Sequence, residues 1–176
     1  MRKRSLLLAS LLITATAFAR ADTMYLRPEE FLKQVFGGAP PTPSVLDLDP
    51  ALRDRLEQTL GHPPRVRRLR YWADGRSTAW LLDEIGKERP ISVGVAIERG
   101  KIAHIRVLVY RESRGWEISG KAFLEQFHGA SLGTDQRLDR GIDGIAGATL
   151  SVRAIDRIAR FALLLDERIT RQNRRP

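Results

Sequence analysis

One hydroxyl, that of Thr149, stands where a run of small residues gives way to an amphipathic stretch: Asp143-Gly144-Ile145-Ala146-Gly147-Ala148-Thr149-Leu150-Ser151. Beyond it, Val152, Ile155, Ile158, Ala159, Ala162, Leu163 and Asp166 fall at spacings of three and four. Six of these seven are apolar, so the spacing predicts a helix with one buried stripe, ending near Arg168. Ser151 is the expected N-cap, its hydroxyl accepting a backbone N–H two or three residues on. Gly144, Gly147 and Ala148 let the preceding backbone bend sharply and approach a ligand. A small-residue turn opening a helix presents free N–H groups and a positive dipole end, which suits an anion such as a phosphate. At the mouth of this anion-suited nest sits the Thr149 hydroxyl.

The elements that must position this turn lie upstream. Pro28 to Phe36 reads as a short helix, and Gly37 to Pro43 as a loop. Asp49 caps a second helix, with Pro50 in its first turn, Leu52, Leu56 and Leu60 on one face and Gly61 as its stop. From Arg65 the period shortens. Arg65 to Trp72 and Ser77 to Ile85 flank the turn signal Asp74-Gly75, and Ile91 to Glu98 and Lys101 to Tyr110 flank Arg99-Gly100. Ser119 is the expected cap of a helix over Lys121 to Phe127, and Gly129 to Gly141 forms a polar loop leading to the motif. The fold class is therefore α+β: an antiparallel β-meander packed with helices, the last of them following the motif.

Met1-Arg2-Lys3-Arg4 followed by the apolar run Leu6 to Phe18 and Ala19-Arg20-Ala21 has the form of a secretory signal peptide over residues 1–21. The run falls short of the roughly 20 residues a membrane span needs. Export and release are expected, with an uncleaved anchor as the alternative. The remainder from Asp22 suits one domain with its own core. It divides into an N-terminal extension over 22–79, the motif-bearing domain over 80–167 and a basic tail over 168–176. The absence of cysteine from the sequence excludes disulfides, thiolate-held iron–sulfur centres and c-type haem attachment. The sequence pI near 10.7 reflects 30 Lys and Arg against 21 Asp and Glu. Four of those cations lie in the leader and four (Arg168, Arg171, Arg174, Arg175) in the tail, so the body is within about one charge of neutrality. That is no footprint for nucleic acid. His62, His104 and His128 are scattered without metal-ligand spacing, and no hydrolase motif is present.

The motif residues carry a resemblance. Asp143 to Ser151 resembles the flavinylation motif of the FMN-binding domain family, which includes a subunit of sodium-pumping quinone reductase and the matching subunit of the Rnf electron-transport complex. That pattern runs Asp, two loosely fixed residues, Ser-Gly-Ala-Thr, a variable position, then Ser or Thr. Thr149 matches the acceptor to which a separate flavin transferase links FMN through a phosphoester. Asp143, Gly147, Ala148 and Ser151 match their positions, and Ala146 stands in place of the usual serine. Three further blocks follow in the family's order over Trp80 to Ala162. Pro90 to Ile102 is similar to its central hairpin, Tyr110 to Trp116 to its Glu-Thr segment, and Phe123 to Gly129 to its short helix. Ser113 stands for threonine, Arg114 for proline, and Trp116 for an aliphatic residue or glycine.

The resemblance implies an exported electron-transfer flavoprotein with FMN attached covalently to Thr149, a carrier or redox subunit rather than a stand-alone enzyme. Its implied partners are a flavin transferase using FAD as donor and a redox protein, membrane-bound or otherwise. The implied cofactor contacts are Thr149, Asp143, Gly147, Ala148, Ser151, Glu112, Ser113 and Trp116. Asp143 either is read by the transferase or holds the turn. Trp116 is the tryptophan expected against the isoalloxazine, with core packing as its alternative; Trp72 and Trp80 are expected in the core or on the sheet. Arg65, Arg67, Arg68 and Arg70 suit either an acidic redox partner or a solvated strand face. Two other classes remain: a non-redox module binding a phosphorylated ligand, and an unflavinylated adaptor anchored to a membrane by its basic tail.

Overall fold

The computed structural model describes residues 22–173; the expected leader over 1–21 and the last three residues of the tail lie outside them. Six strands form one antiparallel sheet: β1 (Thr23–Met24), β2 (Ser44–Asp47), β3 (Arg68–Ala73), β4 (Ser77–Ile85), β5 (Pro90–Glu98) and β6 (Lys101–Tyr110). Their spatial order is β1-β6-β5-β4-β3-β2. The central four are the meander expected from the alternation. The short edge strands β1 and β2 had no such signal, because a strand of two or four residues shows almost no period. Asp74 builds the β3–β4 turn, its Oδ1 accepting from the Arg76 and Ser77 N–H groups at 2.9 and 2.8 Å.

Alternation along the strands sends two apolar sets to opposite faces. On one, Ala79, Ala96 and Leu108 meet Phe31 and Leu32 of helix α1 (Pro28–Phe36). Gly94 makes that approach possible: a Cβ there would lie 2.7 Å from the Phe31 ring. On the other face, Trp80, Leu82, Val93, Val95, Ile105 and Val107 share a larger core with α2 (Pro50–Leu60) and α4 (Thr149–Asn173). The extension over 22–79 and the motif-bearing part therefore bury one another's apolar surface.

Helix α4 has 25 residues, about 37 Å at 1.5 Å per residue. Its expected stripe is buried except for half-buried Val152, and Ala154, Phe161, Leu164, Leu165 and Ile169 are buried too, with α2 packed against the helix. The expected end of the helix near Arg168 is corrected, since α4 continues to Asn173. Ile169 is only 4% exposed, Arg168 donates to Asp49 Oδ2 at 2.7 Å, and Arg55 of α2 donates to Glu167 at 3.0 Å. Asp49 also accepts from the Leu52 N–H at 2.9 Å, as its role of cap required. That bond and then Arg168 hold its carboxyl below the usual range.

Two other boundaries shift. Helix α3 covers only Lys121–Glu125, with turns beyond it, and Gly120 occupies its cap position. Ser119 does not cap it; its hydroxyl donates to Trp116 O at 2.6 Å and closes a 3-10 turn over Trp116–Ser119. No helix among the described residues is long and apolar enough to cross a membrane.

Candidate functional site

The bend before α4 is made by the turn Ile145–Ala148, in which the Ala148 N–H donates to Ile145 O at 3.0 Å. Gly147 supplies the left-handed residue, with φ 80°. Gly144 plays no such part, since it has no positive φ and the space beside it is open. The cap position falls on Ala148, whose carbonyl accepts from the Val152 N–H at 2.9 Å. This corrects the expectation for Ser151, which sits in the first turn of the helix, 4% exposed, and not at its cap. Thr149 is the first helical residue and is exposed. Its backbone N–H and those of the next two residues precede the intrahelical ladder, at the positive end of a long helix dipole. Asp143 is exposed, and its backbone N–H donates to Gln126 Oε1 at 2.7 Å, which ties the start of the motif to the turn after α3.

The Glu112-to-Trp116 segment lies directly against this helix start. Gly115 has φ 83°, and a Cβ on it would stand 2.9 Å from Tyr110 Oη, 3.1 Å from Ala148 Cβ and 3.3 Å from Ser151 Oγ. One residue on, Trp116 is 62% exposed, which removes core packing as its role. Leu150 is 45% exposed. Two large apolar side chains thus stand in solvent on the segments that flank Thr149. Ser113 and Arg114 are exposed. Glu112 turns the other way: its Oε1 accepts from the backbone N–H groups of Lys87, Glu88 and Arg89 at 2.6, 2.7 and 3.0 Å. It fixes the β4–β5 turn, so in this structure it serves the frame of the site.

Several sequence candidates lie elsewhere. Trp80 is fully buried and stacks on Tyr71 at 5.1 Å, and Trp72 packs on the α1 face. Arg65, Arg67, Arg68 and Arg70 are all exposed, with Arg68 paired to Asp47 at 2.7 Å. His128 Nδ1 is 3.0 Å from Ala103 O. Burial, then the charge of Arg106, lowers the pKa of His104. His62 Nε2 is 3.0 Å from Glu84, a buried carboxylate that also pairs with Arg157 at 3.2 Å. A cavity of about 1170 Å³ is lined by residues that include Arg55, Thr78, Arg99, Asp166 and Arg171. Asp166 is 17 residues along α4 from Thr149, about 25 Å, and none of the sequence-selected site residues lines that cavity. Its carboxyl is pushed up by burial, against a 2.7 Å bond from the Thr78 hydroxyl. No group of three or more potential metal ligands occurs among the described residues.

Sequence reasoning missed Tyr110 and Gln126 as parts of the site. Tyr110 carried a usable signal, a polar-tipped aromatic at the last position of an alternating strand. Gln126 carried none.

The family model of the FMN-binding domain matches residues 86–164. This stretch of the chain is similar to that family. The match begins just after β4 and ends within α4, so it takes in both the Glu112-to-Trp116 segment and the turn before Thr149. Comparison with curated proteins gave no match, nor did comparison with solved structures.

Proposed function

We propose that this chain is an exported electron-transfer flavoprotein that carries FMN as a phosphoester on Thr149. The observation that carries the reading is an exposed threonine hydroxyl at the first position of a 25-residue helix, within a domain of an FMN-binding family. The surroundings fit the group. Gly144 and Gly147 have nothing within 4 Å of a would-be Cβ, the first-turn N–H groups lie ahead of the helical ladder, and exposed Trp116 and Leu150 offer apolar surface nearby.

In the attachment step the protein is the substrate of a flavin transferase. The Thr149 hydroxyl attacks the FMN-side phosphorus of FAD. The Oγ1–P bond forms, the pyrophosphate bond breaks, AMP leaves and the hydroxyl proton passes to a base of the transferase. Afterwards the helix start faces a phosphodiester charge, worth about 0.3–1 kcal/mol. That is too little to retain a cofactor, so the ester bond carries retention. Outside the cytoplasm a dissociating cofactor would be lost to dilution, which gives the covalent link its purpose. Once bound, FMN supplies one- and two-electron redox chemistry. Trp116 presents a ring face that limits water on one side of it, and the exposed arginines Arg65, Arg67 and Arg70 suit an acidic redox partner.

The test is the intact mass and visible spectrum of the chain produced with an active flavin transferase and exported. The expected product is yellow after denaturation and heavier by one FMN less one water. A colourless product of unmodified mass overturns the proposal and leaves the phosphorylated-ligand and adaptor readings.

A further inference from the structure

We propose that Tyr110 is a positioning residue for this site: its hydroxyl locks the segment bearing Trp116 onto the helix turn bearing Thr149. The inference rests on the reading of Thr149 as the flavin acceptor, but the lock itself is a property of the chain without flavin.

Tyr110 ends β6 with 3% of its surface exposed. Its hydroxyl meets two groups, the Arg114 carbonyl and Ser151 Oγ, the latter at 3.2 Å. A carbonyl only accepts, so the tyrosine proton goes to Arg114 O. Tyr110 Oη is then left to accept from the Ser151 hydroxyl. The resulting chain runs from Ser151 through Tyr110 to Arg114 and joins the helix start, the strand end and the loop. Burial, partly offset by the Ser151 bond, raises the Tyr110 pKa, with Glu112, Glu117 and Tyr25 adding to the rise. The phenol therefore stays a donor across the physiological range.

Gly115 makes the lock possible. It is fully left-handed, and any side chain would strike Tyr110, Ala148 or Ser151. The two residues of functional interest each lie one position from this contact, Trp116 after Gly115 and Thr149 after Ala148. Neither is buried, so neither can be placed by its own packing. Their relative position is set by Gly115 against Ala148 and by the three hydrogen-bonding groups. The other side of Trp116 is held by its 3-10 turn, where the Ser119 hydroxyl bonds Trp116 O and Ile118 is fully buried. A phenylalanine at 110 would fill the same volume, so the hydroxyl acts through the two bonds alone.

The experiment compares the parent with Tyr110→Phe, and with Tyr71→Phe as a control for general loosening. Tyr71 is half-buried against Trp80, on β3, which β4 and β5 separate from the β6 strand of Tyr110. Limited trypsin digestion of the flavin-free chain reads the lock, because cleavage after exposed Arg114 follows the open fraction of the loop. Tyr110→Phe is expected to speed that single cut by about fivefold, the factor corresponding to loss of the one bond that holds the Arg114 carbonyl, while Tyr71→Phe leaves it unchanged. On the flavinylated protein, Tyr110→Phe is expected to retain the covalent flavin and shift its emission and midpoint potential; Tyr71→Phe is expected to shift neither. An unchanged cut after Arg114 overturns the lock. A faster cut with parental emission and potential overturns the positioning role and leaves a structural bond only. A colourless parent overturns the function proposed above and with it the positioning role, while the digestion alone still decides whether the lock exists.

Discussion

Thr149 and Ser151 are both hydroxyl residues in the first turn of α4, two positions apart, and the structure gives them sharply different surroundings. Thr149 is exposed and its side chain makes no hydrogen bond among the described residues. Valine has a helix propensity close to that of threonine. Thr149→Val should therefore change stability by no more than about 0.5 kcal/mol. In a chain of this size that is under about 2 °C in Tm. Its flavin content should nevertheless fall to zero, since the acceptor oxygen is gone. Ser151 is 4% exposed and its oxygen lies 3.2 Å from Tyr110 Oη. Ser151→Ala removes one neutral hydrogen bond and leaves Tyr110 with its bond to Arg114, a cost of about 1 kcal/mol and of about 2–4 °C. Its flavin should remain. The assay is production with an active transferase, intact mass and visible absorbance of the denatured protein, and thermal unfolding of the flavin-free forms. The two variants should behave in opposite ways: chemistry lost with stability kept, and stability lost with chemistry kept. Denaturation-resistant flavin on Thr149→Val would refute the assignment, and a Tm drop larger than that of Ser151→Ala would refute the exposed placement of Thr149.

Removing residues 172–176 should leave unfolding by urea almost unchanged, because Gln172 and Asn173 are exposed, whereas removal from Ile169 onward should cost about 2–5 kcal/mol, the usual cost of emptying an isoleucine site; equal midpoints for the two truncations would place Ile169 outside the core. His62 faces acceptors at both ring nitrogens, Pro63 O and Glu84, each at 3.0 Å, which requires the imidazolium. Its pKa is raised by the bond to Pro63, against an opposing effect of burial, and further by Glu84. A raised folded-state pKa gives stabilisation that is complete below the ordinary value of 6.5 and lost as pH rises through the folded value. The urea midpoint should thus fall as pH rises from about 6.5 through the folded value in the parent and more weakly in His62→Gln, and an NMR titration should place His62 above an unperturbed histidine; a parental midpoint that rises with pH there would reverse the assignment. Trp116→Ala should keep the covalent flavin, change stability by less than about 0.5 kcal/mol and alter flavin emission or potential; parental values for both would leave Trp116 as exposed surface without a cofactor role.

Local signals sufficed wherever the physics is local. Alternation and the Asp-Gly and Arg-Gly turns specified the four-strand meander, because a strand's side-chain period and a turn's need for left-handed residues act within a few positions. Asp49 announced its helix for the same reason: a cap reaches only three residues. The motif before α4, the threonine at its end and the similarity to FMN-binding domains were likewise written in one contiguous stretch.

What the sequence by itself could not determine was anything decided by partners far along the chain. Ser151 had the composition of a cap, but a cap exists only where the helix begins, and packing against Tyr110 and Gly115 draws Ser151 inside. The end of α4 was set too early because the apolar stripe alone says nothing of α2, whose Arg55 reaches Glu167, or of Asp49, which receives Arg168. Only the fold brings the β4–β5 turn, 23 to 25 residues away, onto the Glu112 carboxylate. Trp116 could have been core or surface by sequence, and only the left-handed Gly115 wedged against α4 leaves it in solvent. The chain's order supplies the chemical groups and their local geometry. Which of those groups remain free for chemistry is decided by long-range contacts, since burial and hydrogen bonding are properties of the assembled neighbours.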